Sequence, residues 1–229
     1  MSVIRLYFKA FLAGLTIAIF IPFLYMSDKK NKTRRTVLSK ILMQIFMVKT
    51  DVFGKMDDEA KMFVINHQSV LDIVAMEATT TRNLGWIAKR ELFEIPLFGH
   101  LFKSCKMISV DRDNKQGLLK LLKDSKERLE NGRPLVIFPE GTRSKGKEIL
   151  EFKAGAKIIA EKLSLKVQPI VIVDSAKFFD TKHSFKDGGG ASKGGVLKII
   201  YLDSFMPEGK EWLEETRQKM QKALEEARA

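Results

Sequence analysis

Three short segments of the chain carry side chains suited to proton transfer and anion binding. The first is Asn66-His67-Gln68-Ser69-Val70-Leu71-Asp72. Histidine is the side chain whose unperturbed pKa lies near neutrality, so it can take a proton from an attacking hydroxyl. It then needs an acid to fix its tautomer and to stabilise the imidazolium. Asp72 follows five residues later and can fold back to do this across a strand-to-helix turn. Such a pair brings no nucleophile of its own and suits direct attack by a bound alcohol. Taken alone, the H-x4-D spacing is common by chance and is better read as a capping histidine with Asp72 inside the helix start. Ser69 is not assigned as a nucleophile.

The second segment is Phe138-Pro139-Glu140-Gly141-Thr142-Arg143-Ser144. Gly141 permits an unusual backbone angle and close ligand approach. Arg143 offers a planar fork for a phosphate, and Glu140 can hold Arg143 or the loop. The third is Lys89-Arg90-Glu91-Leu92-Phe93, with Pro96 and Gly99 beyond it. Either Lys89 or Arg90 can meet an anionic headgroup. Standing alone, the second segment is an ordinary polar turn and the third a charged helix start.

All three segments come directly off apolar runs, at residues 62–65, 135–138 and 84–88. Further short apolar runs at 107–110, 167–173 and 196–202 also read as strands. Between them lie helical patterns at 116–130, with Leu118, Leu119, Leu121, Leu122 and Leu129 as its apolar positions, at 154–163 and at 208–228. Asn131-Gly132 ends the first of these helices, and Pro134 prevents its resumption. The alternation predicts an α/β fold, a mostly parallel sheet flanked by helices, which binds ligands at the carboxyl ends of its strands. Residues 184–195, rich in Gly, Ser and Lys, read as a surface loop without a phosphate-binding motif. No internal repeat and no second domain follow residue 60.

The first quarter of the chain differs. The net charge of the 229 residues is +12, yet residues 1–55 hold ten Lys/Arg against two Asp, a net of +8. Residues 10–26 are free of charge and, as a helix, would be roughly 25 Å long, with Pro22 set to kink or end it. No small-residue cleavage site follows, which argues against a signal peptide. A basic cluster comes next (Lys29, Lys30, Lys32, Arg34, Arg35), then an amphipathic pattern carried by Val37, Leu38, Ile41, Leu42, Ile45 and Phe46. Together these predict a membrane-associating helical hairpin over 1–55, ahead of a catalytic domain over 56–229. The cluster suits anionic lipid headgroups on the cytoplasmic side of the membrane. Nucleic acid is not the expected partner, because it would not call for a 17-residue uncharged run.

The order NHQSVLD, KRELFEIPLFG, FPEGTRS and VQPIVIV, over residues 62–173, resembles the glycerolipid acyltransferase family, specifically its bacterial 1-acylglycerol-3-phosphate acyltransferases. The amphipathic two-helix N-terminus is also similar to theirs. The resemblance implies a fatty acyl transfer from coenzyme A or acyl carrier protein to the free hydroxyl of 1-acyl-sn-glycerol-3-phosphate, giving phosphatidic acid. It implies no cofactor and no metal. It makes His67 the general base and Asp72 its orienting acid. Lys89 and Arg143 would bind the acceptor phosphate, Glu140 and Gly141 would shape the acceptor site, and Pro169 would help form the donor end. The implied location is the cytoplasmic face of the inner membrane. Alternatives are a relative acting on glycerol-3-phosphate or another lysophospholipid, a thioesterase-like hydrolase, or a non-enzymatic lipid-binding module. His100, His183 and Cys105 read as structural. The single cysteine rules out an intramolecular disulfide.

Overall fold

A computed structural model describes residues 2–111, 115–144, 148–179 and 194–229. Two helices lead, α1 (Ser2–Tyr25) and α2 (Asp28–Phe46). The strands are β1 (Val48–Phe53), β2 (Met62–Ile65), β3 (Gly85–Lys89), β4 (Ile108–Val110), β5 (Leu135–Ile137), β6 (Val167–Val173) and β7 (Gly195–Tyr201). The remaining helices are α3 (Leu71–Thr79), α4 (Phe98–Ser104), α5 (Lys115–Glu130), α6 (Gly155–Lys162) and α7 (Trp212–Glu226), with a 3₁₀ turn at Arg90–Phe93. Among the described residues the strands form one seven-stranded sheet in the order β1-β7-β6-β2-β5-β3-β4. Every neighbouring pair is parallel except β6–β7.

Helices cover both faces of the sheet, which is why β2 and β6 are buried at every position and read as unbroken apolar runs. Side chains still alternate. Phe63, Ile65, Trp86, Val136, Ile170 and Ile172 pack with α1, α2 and α3. Met62, Val64, Ile87, Leu135, Ile137 and Val171 pack with α5, α6 and α7 on the other face.

The N-terminal region departs from the sequence expectation in three ways. Residues 48–53, assigned above to the segment 1–55, form β1 and pair in register with β7, so they belong to the sheet. An edge strand with one buried position in six leaves little periodic signal. The first helix takes in Arg5 and Lys9, starts well before residue 10, and runs through Pro22, whose missing amide falls in the last turn. Its stretch Ile4–Tyr25 is long and apolar enough to cross a membrane. Finally, the basic cluster does not all face outward. Arg35 is buried and contacts Glu77 at 3.3 Å, and Lys32 reaches the same carboxylate at 3.1 Å. The Arg34 guanidinium donates to the Phe23 and Ser27 carbonyls, tying α2 to the end of α1. The apolar face of α2, with Leu38, Leu42, Met43 and Phe46 buried, packs on the domain.

Of the remaining sequence readings, the surface loop with His183 lies outside the described residues up to position 193, and Gly195 opens β7. Cys105 is buried, and burial pushes its thiol up to about 11.

Candidate active site

The sheet order makes β2, β5 and β3 consecutive and parallel, so the three motif-bearing strand ends lie side by side on one edge. His67 leaves β2 two residues after its last strand position, and Asp72 sits in the first turn of α3. The His67 Nδ1 and an Asp72 carboxylate oxygen, Oδ2, are 2.9 Å apart. That same oxygen accepts the Gln68 and Ser69 amides at 2.8 and 2.9 Å. The intervening loop thus folds around a fully buried carboxylate, at a helix N-terminus where negative charge is favoured. With Nδ1 engaged, Nε2 is the nitrogen left for a substrate proton.

Three further contacts fix this loop. Asn66 donates to the Ile172 carbonyl at 2.9 Å and accepts the Ile172 amide at 2.8 Å, so a side chain continues the β2–β6 ladder past the end of β2. Ser69 Oγ donates to the Phe179 carbonyl and accepts the Leu71 amide. Both hydrogen bonds belong to a loop-setting residue rather than a nucleophile. Glu140 Oε1 accepts the His67 amide at 2.7 Å, and Oε2 accepts the Leu150 amide at 2.9 Å. Glu140 therefore braces the histidine loop and the chain returning toward α6. Burial, with a smaller push from the Asp72 charge, raises its carboxyl to about 7 against the pull of the two amides.

The rest of the second segment wraps the same place. Gly141 adopts a left-handed backbone, φ +67°, in the turn closed by its amide on the Phe138 carbonyl. The Ser144 amide donates to the His67 carbonyl at 2.7 Å, which holds the neighbouring Arg143 next to the histidine loop. Lys89 is exposed at the end of β3, while Arg90 pairs with Asp111. Pro169 is not brought to this edge. It lies inside β6, beside Val64, buried, with its carbonyl taking the Leu202 amide. Its missing amide falls just past the end of β7, the one side of a central strand where a proline costs no ladder bond.

Sequence reasoning missed the aromatic floor. The Phe138 ring stacks under the His67 imidazole, with centroids 3.9 Å apart and planes at 16°. Two apolar cavities flank the centre. One of about 480 Å³ is lined by Phe138, Pro139, Ile137, Leu121 and Ile159. The other, about 380 Å³, lies among α1, α2, α3 and α4 beside Val70 and Leu71. Among the described residues no group of three His, Cys, Asp or Glu side chains could hold a metal ion.

Known proteins carry the same chain pattern. Residues 55–173 match the acyltransferase family model. A Helicobacter pylori protein named 1-acyl-sn-glycerol-3-phosphate acyltransferase is 41% identical over 225 residues, 96% of this chain and 92% of its own. The chain belongs to the acyltransferase family. This acyltransferase is also 27% identical over 210 residues to a chloroplast 1-acyl-sn-glycerol-3-phosphate acyltransferase of Brassica napus, covering 89% of the chain and 60% of that longer relative. The crystal structure of the 1-acyl-sn-glycerophosphate (LPA) acyltransferase PlsC from Thermotoga maritima shares its fold. The TM-score is 0.72 at 22% identity, over 100% of this chain and 95% of that one.

Proposed function

We propose that this acyltransferase moves a fatty acyl group from a thioester to the free hydroxyl of 1-acyl-sn-glycerol-3-phosphate, giving phosphatidic acid. The observation that carries the chemistry is the His67–Asp72 contact, with the two backbone amides on Oδ2 locking the loop. His67 Nε2 removes the hydroxyl proton as the oxygen attacks the thioester carbonyl. Asp72 stabilises the imidazolium. The carbon–sulfur bond breaks, the thiolate takes the proton from Nε2, and the ester is left on the glycerol. The step as written uses no cofactor and no covalent enzyme intermediate.

The acceptor is supported by the names of the relatives and by the cations at the same edge. Lys89 and Arg143 hold the phosphate, and Glu140 and Gly141 shape the loop around it. Pro169 acts at most through the position of β6. The acyl chains of donor and acceptor meet apolar walls in the two cavities. The donor is coenzyme A or acyl carrier protein. The enzyme rests on the cytoplasmic face of the inner membrane through α1, whose outer face shows Ile4, Phe8, Phe11, Leu15, Ile19 and Phe23 to the outside at helical spacing.

The test crosses purified enzyme with both donors and with lysophosphatidic acid and glycerol-3-phosphate. Transfer to the first acceptor is expected to dominate, and His67→Ala is expected to cut it by about two to four orders of magnitude. Undiminished transfer by His67→Ala would sink the mechanism, and a preference for glycerol-3-phosphate would sink the acceptor. Arg143→Ala should raise KM for the phosphate-bearing acceptor by about tenfold or more, as the loss of a charge-assisted bond requires. A change confined to the donor contradicts that assignment.

A further inference from the structure

Phe138 has a second aromatic neighbour. The Trp86 ring of β3 stacks on it at 5.6 Å between centroids, with planes at 26°, so His67, Phe138 and Trp86 form a three-ring column. Trp86 is itself fixed. It is almost fully buried, and its indole N–H donates to Glu77 Oε1 of α3 at 2.7 Å. The Glu77 carboxylate is in turn held by Lys32 and Arg35 of α2. A continuous path of packed rings and charge-assisted contacts therefore runs from the second N-terminal helix to the imidazole.

We infer that Trp86 is a positioning residue for the His67 imidazole, acting through Phe138, with Glu77 and its two cations on α2 holding the indole in place. The physical requirement is simple. Asp72 fixes one nitrogen of the imidazole but leaves the ring free to rock about that contact. A flat ring at 3.9 Å removes the rocking motion and presents a π face to the imidazolium that forms during transfer. Phe138 follows the last residue of β5 and has no polar atom to anchor it, so its own tilt depends on what lies beneath, and that is Trp86. Among the described contacts, Asp72 from α3 meets the His67 ring and Glu140 from the loop after β5 meets its backbone amide. The inference rests on His67 being the general base.

The experiment compares full-length Trp86→Leu, Trp86→Phe and Leu224→Ala, the last a destabilising control on the opposite face of the sheet. Assays run well below each melting temperature. Loss of the ring in Trp86→Leu is expected to lower kcat about fivefold to tenfold while KM for both substrates stays within about twofold. Trp86→Phe, which keeps a ring under Phe138, should recover most of that loss, and Trp86→Met, a ringless side chain of comparable length, carries the test if Trp86→Leu does not fold. The imidazole proton signal of His67, assigned by its absence in His67→Ala, should shift or broaden in Trp86→Leu and not in Leu224→Ala. Wild-type kcat with an unmoved His67 signal would overturn the inference, as would an equal kcat loss in Leu224→Ala. Full activity of His67→Ala removes the general-base reading and the inference with it, whereas an inactive His67→Ala beside wild-type kcat and an unmoved His67 signal in Trp86→Leu overturns the inference alone.

Discussion

At the residue scale, Glu140 is bonded differently from the carboxylate beside it. Both are buried, but Asp72 gathers its three bonds on one oxygen of a helix-start carboxylate, whereas Glu140 spreads one amide to each oxygen away from any helix end. Its carboxyl is raised to about 7 from an ordinary 4.5. A raised carboxyl favours the protonated form in the folded chain, so its contribution to stability is present below about pH 4.5 and lost as pH rises through about 7. The loss is about 3 kcal/mol across that window. Glu140→Gln should therefore flatten the pH dependence of denaturant stability between those values. It also turns one acceptor oxygen into a donor, leaving the His67 or the Leu150 amide without its partner, so activity should fall even where stability improves. A variant whose stability keeps the wild-type pH slope contradicts the assignment.

At the element scale, the joint between β2 and β6 is made by Asn66, beyond the last residue that the two strands pair. Asn66→Ala orphans a buried amide and a buried carbonyl of Ile172, at about 2–4 kcal/mol for the two. It should lower the melting temperature and slow transfer together, because the histidine loop begins at that joint. Unchanged thermal stability would show that the loop stands without it. The strands of the sheet were largely readable beforehand: 62–65 and 167–173 match β2 and β6, since a strand buried on both faces is an unbroken apolar run with clear ends. His67 with Asp72 was readable too, because a short loop between strand and helix brings them together from local sequence alone. The stacking of Phe138 was not, as it depends on β5 lying between β2 and β3, and sheet order is set by packing far along the chain. Nor was the inward turn of Lys32 and Arg35, because their acceptor Glu77 comes some forty residues later, in a helix with no charge pattern that announces it.

At the scale of the whole molecule, the two N-terminal helices play unequal parts. The outer face of α1 is apolar along its length, with Phe11 67% and Ile19 54% exposed, while α2 spends both its apolar side and two of its cations on the domain. The proposed membrane attachment should therefore follow apolar contact more than charge. Phe11→Glu combined with Ile19→Glu is expected to abolish co-sedimentation with anionic vesicles while transfer to detergent-dispersed acceptor persists. High salt should weaken the wild-type association only modestly. Association that vanishes in salt and survives the double substitution would reverse that order.

The edge position of β1 has a practical consequence. Trimming the chain at residue 55, as one would trim a simple anchor to obtain a water-soluble enzyme, removes the strand that covers β7 and leaves Arg35's partner Glu77 buried without its cations. The product would be prone to aggregate along the bared edge and to lose the ring column under His67. Solubility is better sought by repainting the outer face of α1 with polar residues at positions such as Phe8, Phe11, Leu15 and Ile19, with every residue from α2 onward left in place.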